Sequence, residues 1–188
     1  MNRLFQKYAI LILVIFGLIF RMLFYFFNQN ALLANDSQTY IDLAKLISSG
    51  SINGYFGGRS PGYSLLICLL GNSIQLLVLF QVIIGILSSV FWYEILKYFK
   101  FNAVFSLSIS LFFSSFLHVL SYEHAILIES INLLIITLLI YYVIRNQILG
   151  TAFCLAILVL LKPFYMYLPF VIFAYFVYNN FNWKAIIK

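Results

Sequence analysis

Residues 8–27 form an apolar run of twenty residues interrupted by one charge, Arg21. At 1.5 Å per residue a helix of that length covers about 30 Å, the thickness of a bilayer's hydrocarbon core. Further apolar runs follow over residues 73–99, 104–120, 125–144 and 148–178. None shows the strict two-residue alternation of a barrel strand, and hydrocarbon obliges each span to satisfy its own backbone hydrogen bonds, so the spans are expected to be helices. The composition, 64% hydrophobic and 9% charged, leaves too little polar surface to cover a soluble domain. The expectation is an all-α integral membrane protein, a polytopic bundle forming a single transmembrane domain over residues 1–188.

The boundaries give about six spans. The first run reaches full span length with no small-residue cleavage site after it, which predicts an uncleaved helix rather than a signal peptide. Arg21 lies about 10 Å from the end of that helix, within reach of the interface by snorkelling; facing a polar cavity is the alternative. Residues 148–178 suit two short helices hinged at Lys162-Pro163, because proline cannot continue the helical ladder. With the N-terminus cytoplasmic, Arg3, Lys7, Lys97, Lys100, Arg145, Lys184 and Lys188 fall inside, whereas Asp36, Asp42, Glu123 and Glu129 fall at the outer face. The net charge of +6 comes from basic residues placed singly at the ends of apolar runs, which argues against a nucleic-acid partner. Cys68 and Cys154 lie inside apolar runs, where a thiol acts as a small hydrophobe.

Asn35 to Tyr63 is the one long polar interval, and residues 28–72 around it read as an extracytoplasmic loop carrying short helices. Asp36, Tyr40, Ala44 and Ile47 recur at three- and four-residue spacing and share a face of an amphipathic helix that Gly50 stops. Asp36 either caps that helix or carries chemistry. Asp42 and Lys45 read as an exposed pair. The segment from Pro61 to Leu70 is too short to span and is expected to be re-entrant or interfacial, ended by Gly71-Asn72. Glu123-His124 reads as a solvated outer turn, with a metal or acceptor role as the alternative. Glu129 is expected one to two turns inside the fourth span, facing Arg59 or Lys162 rather than lipid. His118 reads as a core residue. No HExxH, CxxC, Walker loop or nucleophile elbow is present.

The order of these features resembles a family. An arginine near the outer end of the first span is followed by Asp36-Ser37 with Tyr40 and Ala44, Gly50, and Arg59-Ser60-Pro61-Gly62-Tyr63. Gly71-Asn72-Ser73, Gln81, Gly85, Glu129 and Lys162-Pro163 come after. That order is similar to the N-terminal half of the GT-C membrane glycosyltransferases, in the family 39-like or dolichyl-phosphate-mannose-protein mannosyltransferase-like branch. The resemblance implies a GT-C-like fold in a bacterial inner membrane within the cell envelope, and a polyprenyl-phosphate sugar donor used on the outer face. It implies an essential aspartate in the first outer loop, which falls on Asp36. Ser37 stands where the family often has a second acid, so no cofactor is certain and a divalent metal is the one candidate. Covering only the N-terminal half, the resemblance also implies a partner subunit that supplies the C-terminal helices. The alternative function is a non-catalytic or truncated membrane subunit that binds a polyprenyl lipid or a partner enzyme.

The residues suit this chemistry on their own terms. Inverting transfer needs a base for the acceptor hydroxyl, while a lipid phosphate leaves without a strong general acid. Asp36 is the candidate base. Arg59, Lys162 and Arg21 are candidates to hold the donor phosphate, or else interfacial anchors. Tyr40, Glu129, Glu123 and His124 are candidate supporting residues.

Overall fold

The computed structural model of the protein describes residues 3–28, 30–50, 53–55 and 57–180. The side chains of Arg3 and Lys7, and the whole of Lys184 and Lys188, all used above for orientation, lie outside that description. The described residues form α1 (Arg3–Phe27), α2 (Ser37–Ser48), α3 (Pro61–Leu69), α4 (Ile74–Tyr98), α5 (Ala103–Ser115), α6 (Leu117–His124), α7 (Glu129–Ile144) and α8 (Ile148–Leu161). A 3₁₀ turn (Pro163–Tyr167) then leads into α9 (Leu168–Asn180). Among the described residues the only β pairing is a single bridge between Leu32 and Ala125.

Local chemistry places the boundaries. Gly50 (φ 69°) and Gly71 (φ 68°) end α2 and α3 in the left-handed region that glycine enters without strain. Pro61 opens α3, where its missing N–H costs no helical bond. Ser73 caps α4 by accepting from Leu76 N at 3.3 Å, and Asn102 caps α5 by accepting from Phe105 N at 2.7 Å.

α4 runs through the middle, with α1, α5 and α6 against one side and α7 against the other. On the first side Ala9, Leu13 and Tyr93 form a small buried cluster. The larger core joins Tyr40 and Ala44 of α2, Tyr63 and Ile67 of α3, Leu77 and Ile84 of α4, and residues of α7 and α8 such as Leu139 and Leu158. The loop helices α2 and α3 are therefore part of the main core. At the end of α4 away from them, Arg145 meets Glu94 at 3.8 Å and lies over the Tyr141 ring at 4.2 Å.

Among the described residues two helices, or three, reach the length of a full span. α1 and α4 are long and apolar enough to cross a membrane, and α5 with α6 makes a third if that bent pair is one span. α7 and α8, at 16 and 14 residues, and the segment from Pro163 to Tyr178 are shorter apolar helices.

Two runs expected as continuous helices are broken for identifiable reasons. The 104–120 run bends by 47° at Phe116, which is extended (ψ 123°). There the Ser114 carbonyl accepts from Arg21 Nη1 at 3.4 Å, and the Ser115 hydroxyl turns back to Leu111 O at 3.1 Å. A side chain inserted into the ladder is a recognised cause of such a kink. The 125–144 run does not begin as helix either. Leu32 N donates to His124 O at 2.9 Å and Ile126 N to Leu32 O at 3.2 Å, which draws Ala125 into extended conformation and delays α7 to Glu129.

Candidate functional site

Asp36 stands at the N-terminal boundary of α2, yet its side chain makes no capping hydrogen bond. Its backbone is already helical (φ −85°, ψ −17°), which turns the carboxylate away from the first-turn N–H groups that a cap serves. That carboxylate accepts instead from the Arg59 guanidinium across the loop. The two side chains keep 46% and 35% of their surface exposed, so both remain within reach of a ligand. Tyr55 holds the Arg59 backbone by donating its hydroxyl to the Arg59 carbonyl. The guanidinium also lies 5.5 Å from the centre of the Tyr40 ring, a cation–π distance.

Beneath this pair is a floor of tyrosines. Tyr40 meets Tyr63 edge to face at 4.9 Å, and both rings are buried. The Tyr63 hydroxyl donates to Gln81 Oε1 at 2.8 Å, and Gln81 Nε2 donates to the carbonyls of Glu123 and Ala125, each at 2.8 Å. Ser37 joins the same wall by accepting from Ala34 N at 2.9 Å and donating to Ile126 O at 3.0 Å. One buried amide thus ties α3, α4 and the extended segment after α6 together, and Ser37 seats the start of α2 on that segment. Burial raises the hydroxyl pKa of Tyr40, with Arg59 partly opposing the shift and Asp36 and Glu129 adding to it. Burial and then the Glu129 charge raise that of Tyr63. Both phenols stay neutral.

Glu129 occupies the first turn of α7, where the helix dipole favours a carboxylate, rather than a position one to two turns inside a span. It faces tyrosines rather than the cations expected: its charge reaches Tyr40, Tyr63 and Tyr165. Its Oε2 is buried with no hydrogen-bond partner. Lys162 is exposed at the end of α8, just before the 3₁₀ turn. Ser60 donates to Leu160 O, and a Cβ at Gly62 would lie 2.7 Å from that carbonyl, so the Arg59-bearing segment closes on α8 two residues before Lys162. Glycine at position 62 is needed for that approach.

Arg21, Glu123 and His124 do not join this group as expected. Arg21 neither snorkels nor faces open solvent. It is 2% exposed, meets Glu123 Oε1 at 2.5 Å, and donates to Gly17 O and Ser114 Oγ at 3.1 Å each. Its two Nη groups are engaged and its partnerless Nε is buried, so the guanidinium is not presented to the donor phosphate. The Glu123-His124 pair, read as a solvated turn, is 1% exposed at each residue and ends α6. His124 packs 4.7 Å from Phe24, with Nδ1 3.2 Å from Leu120 O. A Cβ at Gly85 would overlap the Glu123 carboxylate, so glycine there makes room for the ion pair. Asp42 accepts from Gln38 at 2.8 Å, on the exposed face of α2.

Among the described residues no three His, Cys, Asp or Glu side chains come together where they could hold a metal. Near Asp36 the donor set is one carboxylate already facing a guanidinium, which does not fit a divalent cation. Sequence reasoning missed Tyr63 and Gln81 as parts of the site. The available signal was an amide and a phenol inside apolar runs, each of which needs a buried partner. Comparisons of the chain with protein-family models, curated proteins and solved structures returned no match.

Proposed function

We propose that the protein transfers a sugar from a polyprenyl-phosphate donor to an acceptor hydroxyl on the outer face of a bacterial inner membrane, with inversion at the anomeric carbon. The observation that carries this reading is the Asp36–Arg59 pair. A carboxylate free of capping duty and a guanidinium stand half-open above a buried tyrosine floor, at one end of an apolar helical bundle. Six crossings and a GT-C-like arrangement belong to the proposal. α7 and α8 would cross as short helices of about 24 Å and 21 Å at 1.5 Å per residue, in a locally thinned bilayer.

In this mechanism the acceptor oxygen attacks the anomeric carbon as the bond from that carbon to the phosphate oxygen breaks. Asp36 takes the acceptor proton, and the electron pair of the broken bond leaves on the polyprenyl phosphate. Arg59 exchanges part of its contact with Asp36 for the phosphate oxygens, and Lys162 adds a second cation. The neutral hydroxyls of Tyr40 and Tyr63 keep the floor uncharged beneath the leaving phosphate. Glu129, whose charge reaches Tyr40, orients acceptor or sugar hydroxyls in this reading.

Asp36→Asn tests this reading because it keeps the shape and removes the proton acceptor. Loss of a general base should lower the transfer rate by roughly 10² to 10⁴. The measurement is radiolabelled sugar transfer from a panel of polyprenyl-phosphate sugars, beside thermal unfolding of the same preparations. An Asp36→Asn protein that transfers at the wild-type rate would overturn the assignment of Asp36. Wild-type protein that binds the lipid and transfers no sugar from any donor, either alone or with a partner subunit supplying further helices, would establish the non-catalytic subunit instead.

A further inference from the structure

We propose that the groove between α7 and α9 seats the phosphate-proximal part of a polyprenyl chain, with Lys162 at its mouth; this rests on the polyprenyl-phosphate reading above. The hollow measures about 400 Å³ and is walled by Ile136, Leu139 and Val143 of α7 and by Tyr165, Leu168 and Ile172 across from them. Along α7 it extends over residues 136–144, about 12 Å at 1.5 Å per residue. Its occupant is therefore long and apolar. A helix of that length, about 10 Å across, would occupy about 900 Å³, so a partner helix does not fit inside. A single hydrocarbon chain does, and the branched Ile and Val walls suit one with methyl branches.

The head of the groove selects among single chains. Tyr165 lies within electrostatic reach of Glu129 and so joins the groove to the site under Arg59. The Lys162-Pro163 break creates this arrangement: Lys162 is extended (φ −150°, ψ 113°), proline ends α8, and Tyr165 N closes on Lys162 O at 3.0 Å. Among the described residues Lys162 has no acidic partner, and the loop contact at Leu160 puts Arg59 at the same end of α8. Two cations at the end of α8 that leads into a one-chain apolar slot match a phosphate ester on a single chain. A diacyl phospholipid would leave its second chain outside.

The experiment uses the full chain in nanodiscs with a polyprenyl phosphate bearing a diazirine in its second isoprene unit, and no sugar acceptor. The same diazirine on a polyprenol and on a phosphatidylglycerol acyl chain supplies the controls. Crosslinks mapped by peptide mass spectrometry should fall on residues 136–144 and 165–172 for the phosphate probe, and unlabelled polyprenyl phosphate should compete them away. Leu139→Trp and Ile172→Trp should lose that labelling, and Lys162→Gln should lower it several-fold without changing the polyprenol pattern. Equal groove labelling by the phospholipid, or labelling spread over the lipid-facing side of α1, would overturn the proposal. The wild-type competition needs no variant to fold. Because binding is read without transfer, groove labelling in a protein that transfers no sugar, alone or with a partner subunit supplying further helices, would support the slot and defeat the enzymatic reading. Transfer without groove labelling would do the reverse.

Discussion

Of the three arginine–carboxylate pairs among the described residues, Arg21–Glu123 and Asp36–Arg59 differ in almost everything except their chemistry. Arg21–Glu123 is 2% and 1% exposed, clamped at 2.5 Å and supported by Gly17 and Ser114; Asp36–Arg59 is 46% and 35% exposed and rests on a tyrosine ring. A buried pair must recover a desolvation cost of several kcal/mol per ion through close geometry and extra hydrogen bonds. An open pair has little to recover and can exchange partners. The first pair therefore holds the kink between α5 and α6 against α1, and the second is available to a ligand.

The largest effect that could break this contrast is the removal of one buried charge. Arg21→Met leaves Glu123 without its counter-ion among apolar helices and should cost about 3–5 kcal/mol of stability. The double substitution Arg21→Met with Glu123→Met removes both charges and should recover most of that loss. Thermal unfolding in a fixed detergent measures both. A single variant as stable as the wild type would show that water reaches the pair, which would make it a second open site.

The tyrosine floor between the pairs should respond less. Tyr63→Phe leaves the Gln81 carbonyl oxygen buried without its donor, at a cost of about 1–3 kcal/mol. The pH dependence has a definite sign. Both Tyr40 and Tyr63 are held above the ordinary value of 10.0, so the folded state keeps its phenolic protons where the unfolded chain releases them. That contribution is fully present below pH 10.0 and is lost as pH rises from there towards the folded values. Tyr63→Phe should start lower and then fall less steeply above that pH. An unchanged alkaline slope, followed by tyrosine absorbance and unfolding together, would show that Tyr63 ionises freely.

Much of the fold was legible in the sequence. The apolar runs gave a helical class, Gly50 and Gly71 gave the ends of the loop helices, and Lys162-Pro163 gave the break before the last helix. The kink at Phe116 was not legible, because it depends on Arg21 meeting Ser114 from ninety-three residues away. Nor was the delayed start of α7, which the Leu32 bridge imposes against a sequence that reads as helix throughout. For the site, local pattern brought out Asp36 and Arg59 because both sit in the one polar interval. It misplaced Arg21, Glu123 and His124 because burial of a charge depends on a partner, and the partner lies on another helix. Gly85 was the clue in reserve: a residue with no side chain, one turn from Gln81, facing the space that the Glu123 carboxylate fills.

The smallest expected effect concerns the stability of the open pair, and it sharpens the comparison most. Pairs this exposed contribute about 0–1 kcal/mol after solvent screening and side-chain entropy. Asp36 makes no capping hydrogen bond, so Asp36→Ala should also escape the cost of about 1 kcal/mol that loss of an N-cap carries. Asp36→Ala, Arg59→Ala and the double variant should therefore unfold within about 1 kcal/mol of one another. Their coupling should shrink further as salt rises. The same cycle on Arg21 and Glu123 should give a coupling several times larger and nearly insensitive to salt, since buried charges are poorly screened. A salt-insensitive coupling above about 2 kcal/mol for Asp36–Arg59 would place it with the buried pair, beyond the range of exposed ones. The carboxylate would then be structurally committed, and Glu129, whose Oε2 has no hydrogen-bond partner, would become the stronger candidate for the base.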